Sequence, residues 1–139
     1  MRCFECGKGQ LKTQETTVSA AFRGSLFDVR TVANVCPKCG YKSIPAKHAD
    51  NFGVALADAY RRKHDLLTST QLKEIRKELD LTQEEFATYL HVGVASVKRW
   101  EGGLGQDRAM DQLIRLRTDP FVARRNYEQL SRRLARRVA

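Results

Sequence analysis

LTQEEFATYLHVGVASVKRWE, residues 81–101, is the stretch on which the reading of this chain turns. Its apolar positions Leu81, Phe86, Ala87, Leu90, Val92, Val97 and Trp100 fall where two crossing helices bury them. Thr82 followed by Glu85 is a capping box, in which the hydroxyl takes the N3 amide and the glutamate reaches back to the cap, and it predicts a helix to about Leu90. His91-Val92-Gly93 gives a turn, and a second helix from Val94 to Glu101 closes on Gly102-Gly103. On that second helix Val97 and Trp100 share a face, which leaves Ala95, Lys98 and Arg99 on the opposite one. A short helix with small and basic residues outward suits a DNA major groove, as a helix-turn-helix. Arg99 can pair with guanine N7 and O6 or with a phosphate, and Ala95 allows close approach or touches a thymine methyl. Val94, Ser96 and Lys98 complete the contacting set on this helix. Gln83, in the first turn of the preceding helix, can meet a phosphate at that helix's N-terminus. The plain alternative is a helical bundle whose Lys98 and Arg99 are merely solvated.

Outward from this segment the C-terminal half is all helix. Residues 109–116 and 122–137 read as two more helices, the last of them Arg-rich over 124–137, and Thr68 with Gln71 caps another running through Leu79. Leu66-Leu67-Thr68-Ser69 reads as a linker or helix start. Before it, Phe52, Leu56, Ala59 and Tyr60 form one apolar stripe on a helix from Ala46 to about His64. Residues 1–45 are β-rich: Leu11 to Val18 and Leu26 to Val35 suit strands, and Ala21 to Ser25 suits a turn or bulge. The expectation is an α+β fold of two domains. Residues 1–67 form a small β-rich zinc-binding module with one helix, and residues 68–139 form an all-α helix-turn-helix domain.

The metal expectation comes from four cysteines. Cys3 and Cys6, and again Cys36 and Cys39, are Cys-x-x-Cys pairs, each followed by a glycine (Gly7, Gly40) where a left-handed backbone is often needed. Two such loops on neighbouring strands complete a tetrahedral four-sulfur site, which suits structural Zn²⁺. A redox Cys-x-x-Cys opens a helix in a βαβ context, absent here, and disulfides are disfavoured in a reducing cytosol. A site closed by four thiolates keeps no position for water or substrate. His48, His64 and His91 are not spaced like metal pairs and read as surface or turn histidines.

Composition agrees. The chain has 139 residues, 42% hydrophobic, and a formal net charge of +9. Residues 1–67 hold 11 basic and 6 acidic residues and residues 68–139 hold 14 and 10, so the excess is spread along the chain. A basic surface attracts polyanions and gains from counterion release, although charge alone does not single out nucleic acid. No apolar run is long enough to span a bilayer, and no secretion-type segment opens the chain, so the expected location is cytoplasmic. No enzyme is expected: Glu84 and Glu85 serve a helix start, and no Ser/His/Asp or Cys/His set is apparent.

Residues 81–101 resemble the XRE (Cro-type) helix-turn-helix, L-T-Q-x-E-x-A…L-G-V…W-E-x-G. The chain as a whole resembles the MqsA-type antitoxins with a YgiT-type zinc finger. The matching features over about residues 1–117 are the leading M-x-C-x-x-C, Phe22-Arg23-Gly24, the second Cys-x-x-Cys followed by Ser43-Ile44, the Asp50-to-Arg61 helix and the Cro-like segment. The resemblance implies a bacterial type II antitoxin that represses its own operon. It carries one structural zinc, a C-terminal domain that dimerises on a palindromic operator, and an N-terminal domain that meets a toxin. The family's base-reading Arg maps onto Arg99. Its base-reading Asn maps onto Ala95, which cannot make the bidentate contact to adenine, so a different operator is implied. His91 stands for the usual turn Gly and Gly93 for the usual cap Ser. The tail beyond Asp119 is longer and richer in Arg than the family pattern, and it suits a dimer interface, a DNA contact or, as composition favours, a solvated helix. The competing reading is a stand-alone zinc-stabilised regulator without a toxin partner.

Overall fold

The computed structural model describes residues 1–138. Two long strands, β1 (Lys12–Phe22) and β2 (Ser25–Val35), are followed by a two-residue β3 (Lys42–Ser43) and by α1 (Ala46–Lys63). Then come α2 (Ser69–Glu78), α3 (Gln83–Leu90), α4 (Val94–Glu101), α5 (Arg108–Thr118) and α6 (Pro120–Val138). The fold is α+β, with one antiparallel sheet in the order β1-β2-β3. The chain divides into two compact units, Met1–Asp65 and Leu66–Ala139.

In the first unit, β1 and β2 form a hairpin whose pairing runs without a break from Lys12↔Val35 to Phe22↔Ser25. The strands are longer than the apolar pattern predicts, because Arg23 and Gly24 alone make the turn. Both have positive φ (47° and 82°), the two-residue geometry whose twist matches the strands it joins. Alternate residues then face one way: Val18 opposite Val29 and Ala20 opposite Phe27, with Val29 and Ala33 fully buried. α1 lies on this sheet. Tyr60 packs edge-on to Phe22 (5.4 Å between centroids) and Phe27 (6.3 Å), and Arg23 sits 5.2 Å over the Tyr60 ring. The expected stripe is half the story for this helix. Its most buried positions are Leu56, Ala57, Asp58 and Arg61, and Arg61 donates to Asp58 over 2.7 Å at 0% exposure. Periodicity counts charged residues as outward and therefore passes over a buried ion pair.

The second unit is built on Leu67, Leu72, Phe86, Ala87, Leu90, Val97, Trp100 and Ile114. Leu67 belongs to this core and is not a linker. Its N–H donates to Asp111 Oδ1 (2.7 Å), its carbonyl accepts from Gln106 Nε2 (2.8 Å), and Arg115 holds the other Asp111 oxygen at 2.8 Å. Both capping boxes are formed, Thr68 with Gln71 and Thr82 with Glu85. Each satisfies two N–H groups that the first helical turn otherwise leaves without partners. α2 is tied to the end of α4 by Arg76, whose guanidinium meets both Glu101 oxygens (2.9–3.2 Å) and also the Leu81 carbonyl. α6 differs from the other helices in having no buried residue.

Candidate functional site

The two Cys-x-x-Cys pairs sit in loops of the same construction. The Gly7 N–H donates to the Cys3 carbonyl (3.0 Å), and the Gly40 N–H donates to the Cys36 carbonyl (2.9 Å), which closes each loop on itself. Gly7 and Gly40 have φ of 64° and 78°, a left-handed backbone that an L side chain resists. Each loop is anchored again by the N–H of its first cysteine, Cys3 to the Gly9 carbonyl and Cys36 to the Tyr41 carbonyl, both at 2.8 Å. The second loop leads from β2 to β3, and the first stands before β1, with Arg2 and Gln10 in an isolated antiparallel bridge.

The result is a cluster of four sulfurs, all within 4.8 Å of one another and able to hold one metal ion. Two contacts cross between the loops: Cys3 Sγ to Cys39 Sγ at 3.6 Å and Cys6 Sγ to Cys36 Sγ at 3.7 Å. No disulfide joins any of them. Cys3 and Cys36 are buried and Cys39 is exposed, so the cluster has an inner and an outer side. Backbone amides point at the sulfurs. Those of Lys8 and Gly9 pull the Cys6 thiol down to about 6, and those of Cys39 and Lys38 lower Cys36. Tyr41's amide pulls Cys39 down as well, but desolvation and the neighbouring thiolates outweigh it and push that thiol up to about 12. Four like-charged groups in so small a space cannot all ionise alike without a cation between them.

Gly9 is a site residue that sequence reasoning missed. A Cβ there would collide with Cys36 Sγ, so the first loop closes over the second only because residue 9 has no side chain. The signal was the repeated glycine of Cys6-Gly7-Lys8-Gly9.

Across the second unit, α3 and α4 are joined by the turn His91-Val92-Gly93. His91 caps α3 in the left-handed region (φ 59°), and its N–H donates to the Thr88 carbonyl. Gly93 is the N-cap of α4 and makes no side-chain cap bond. On α4, Val97 and Trp100 are buried, while Ala95, Lys98 and Arg99 are exposed. Arg99 donates to Ser96 Oγ at 3.2 Å. Ser96, Gln83 and Val94 are half-buried, and Val94 packs against the core, so its side chain has a structural task. A second residue passed over in the sequence is Tyr89: its hydroxyl donates to the Arg117 carbonyl (2.6 Å) and Arg117 donates back to the Tyr89 carbonyl (2.9 Å), fixing α3 to α5. Among the described residues no helix is long and apolar enough to cross a membrane.

The family model described as the antitoxin component of a bacterial toxin-antitoxin system, MqsA, matches residues 1–120. No curated protein matches the chain.

Proposed function

The chain belongs to the MqsA antitoxin family, and from that premise we propose that it is the antitoxin of a type II toxin-antitoxin system that neutralises its toxin through residues 1–67 and represses its own operon through residues 68–139. The observation that carries the proposal is the family match itself, which spans the four-sulfur cluster and the α3–α4 pair together. The operator is duplex DNA bound by a homodimer, whose symmetry calls for two half-sites about one helical turn, or a multiple of it, apart.

The metal we assign is zinc, one per chain, held by Cys3, Cys6, Cys36 and Cys39. Zinc–sulfur bonds of about 2.3 Å in a tetrahedron separate the sulfurs by about 3.8 Å, close to the 3.6 and 3.7 Å across the two loops. The metal's part is structural. With four thiolates no position is left for water or substrate, and the reading includes no catalytic step.

Gln83, Val94, Ala95, Ser96, Lys98 and Arg99 form the proposed DNA set. Arg99 reads a base, Lys98 and Gln83 hold phosphates, Ala95 lets the helix lie close, and Val94 and Ser96 support them. The exposed trio Ala95, Lys98 and Arg99 opposite buried Val97 and Trp100 supports this assignment. Two measurements test the proposal. Expressed alone, the product of the adjacent gene should arrest growth, and co-expression of this chain should relieve the arrest; a harmless neighbour removes the antitoxin role. Arg99→Ala should weaken operator binding by about 1–3 kcal/mol and relax base choice, so unchanged selectivity in a gel-shift series removes Arg99 from base reading.

A further inference from the structure

α6 begins at Pro120, where the family match stops, and takes no part in the site described above. Most helices in proteins owe their stability to packing of one face, and this 19-residue helix has no buried residue, so its surface calls for an explanation. Its cations are all arginine, Arg124, Arg125, Arg132, Arg133, Arg136 and Arg137, and Glu128 is its one carboxylate. Among the described residues only Arg124 of these is ion-paired, to Glu128 at 3.4 Å. Gln129, Arg132, Arg133 and Arg136 line one shallow groove along the helix. Arg125 lies one turn before Gln129 and two turns before Arg132, which continues that face towards the helix start. Exposed Tyr127, Leu130 and Leu134 recur at i, i+3 and i+7 on the other side. A face kept only for solubility mixes both signs. This one is of a single sign, and the planar guanidinium fork matches phosphate oxygens better than an ammonium does.

We propose that the arginine face of α6 binds the phosphate backbone of duplex DNA, as a sequence-independent contact added to the base-reading helix. The inference rests on the DNA-binding reading given above. From Arg125 to Arg136 is eleven residues, about 16 Å of helix axis, which matches roughly four to five base-pair rises of about 3.4 Å measured along the duplex axis. Charge complementarity selects this partner. A second copy of α6 brings the same positive charge and would be held only by the narrow stripe of Tyr127, Leu130 and Leu134.

The test is the salt dependence of binding by the full-length, zinc-loaded protein to a fluorescent duplex of arbitrary sequence. Each phosphate contact contributes about 0.9 to the slope of log K against log salt. The variant R125Q/R132Q/R133Q/R136Q is expected to lower that slope by about 3 and to weaken binding at about 0.1 M salt tenfold or more. The four-lysine counterpart, which keeps the charge, is expected to retain most of the slope. A wild-type slope in the glutamine variant overturns the proposal. So does an unchanged slope with loss of the dimer in sedimentation, which assigns α6 to a second copy, or with loss of binding to phosphatidylglycerol vesicles, which assigns it to a lipid surface. Arg99→Ala, measured beside it, separates the two failures. If it leaves operator preference intact, the underlying DNA reading fails; if it abolishes preference while the glutamine variant is silent, only the role of α6 fails.

Discussion

The two units solve the problem of small size in different ways. The buried side chains of Met1–Asp65 are few and mostly small: Val29, Ala33, Leu56, Ala57, the Asp58–Arg61 pair and the sulfurs of Cys3 and Cys36. Leu66–Ala139 instead closes on Phe86, Trp100, Ile114, Val97 and four leucines. A domain of this length buries only about 60% of the surface its unfolded chain exposes and is marginal without strong packing or a staple. The first unit has four sulfurs placed to hold such a staple, and the second has the packing. The lesson is that the same chain should contain one unit that depends on metal and one that does not.

The largest effect tests this contrast directly. Chelation, or Cys36→Ser, should remove most of the folding free energy of the first unit, since structural zinc contributes on the order of 10 kcal/mol. The hairpin amides should lose hydrogen-exchange protection while those of α2 to α5 keep theirs. If both sets lose protection together, the contrast is broken. The reciprocal change is Phe86→Ala, at 0% exposure in the core of the second unit. It should cost about 3–5 kcal/mol in denaturant melts of the helical unit, while the zinc content of the purified protein stays at one per chain. A metal loss of equal size would mean that the units share one cooperative transition.

Finer effects sharpen the comparison within each unit. Gly9→Ala forces a methyl against Cys36 Sγ, so the first loop must lift from the second. Zinc affinity in a competition assay should fall about 10- to 100-fold, the range seen when the support of a metal ligand is disturbed. Unchanged affinity would show that the loops adjust freely. Thr82→Ala removes the hydroxyl that accepts from the Glu85 N–H (3.1 Å) and should cost about 1 kcal/mol in thermal melts, confined to the second unit. It is the smallest effect and the cleanest control, because it alters one helix end and no core atom.

The α3–α4 segment was legible to within a residue because its signals are local. A capping box, a turn and a 3–4 apolar spacing each act over a few positions, and Thr82, His91 and Val94 could be placed from them. The cysteine cluster was legible because two residues between thiols make one loop whatever surrounds it. The local pattern stops the strands short at the turn end: Ala20, Ala21 and Phe22 carry a weak alternation by themselves, and it is pairing with Phe27, Leu26 and Ser25 that extends β1. Leu66-Leu67-Thr68-Ser69 reads locally as a linker or helix start, and the helix does start at Ser69, but no local rule foretells that Asp111, 44 residues on, accepts the Leu67 N–H.

The amino-acid order alone thus determined the order of the main strands and helices and which four sulfurs could meet. Folding in three dimensions decided the rest: that Asp58 and Arg61 are buried as a pair, that residue 9 must lack a Cβ, and that Glu101 locks α4 to α2 through Arg76. The reason is range. Helix caps, turns and Cys-x-x-Cys loops draw their free energy from neighbours in sequence, whereas burying a charge or excluding a methyl group depends on atoms brought close only when distant segments pack.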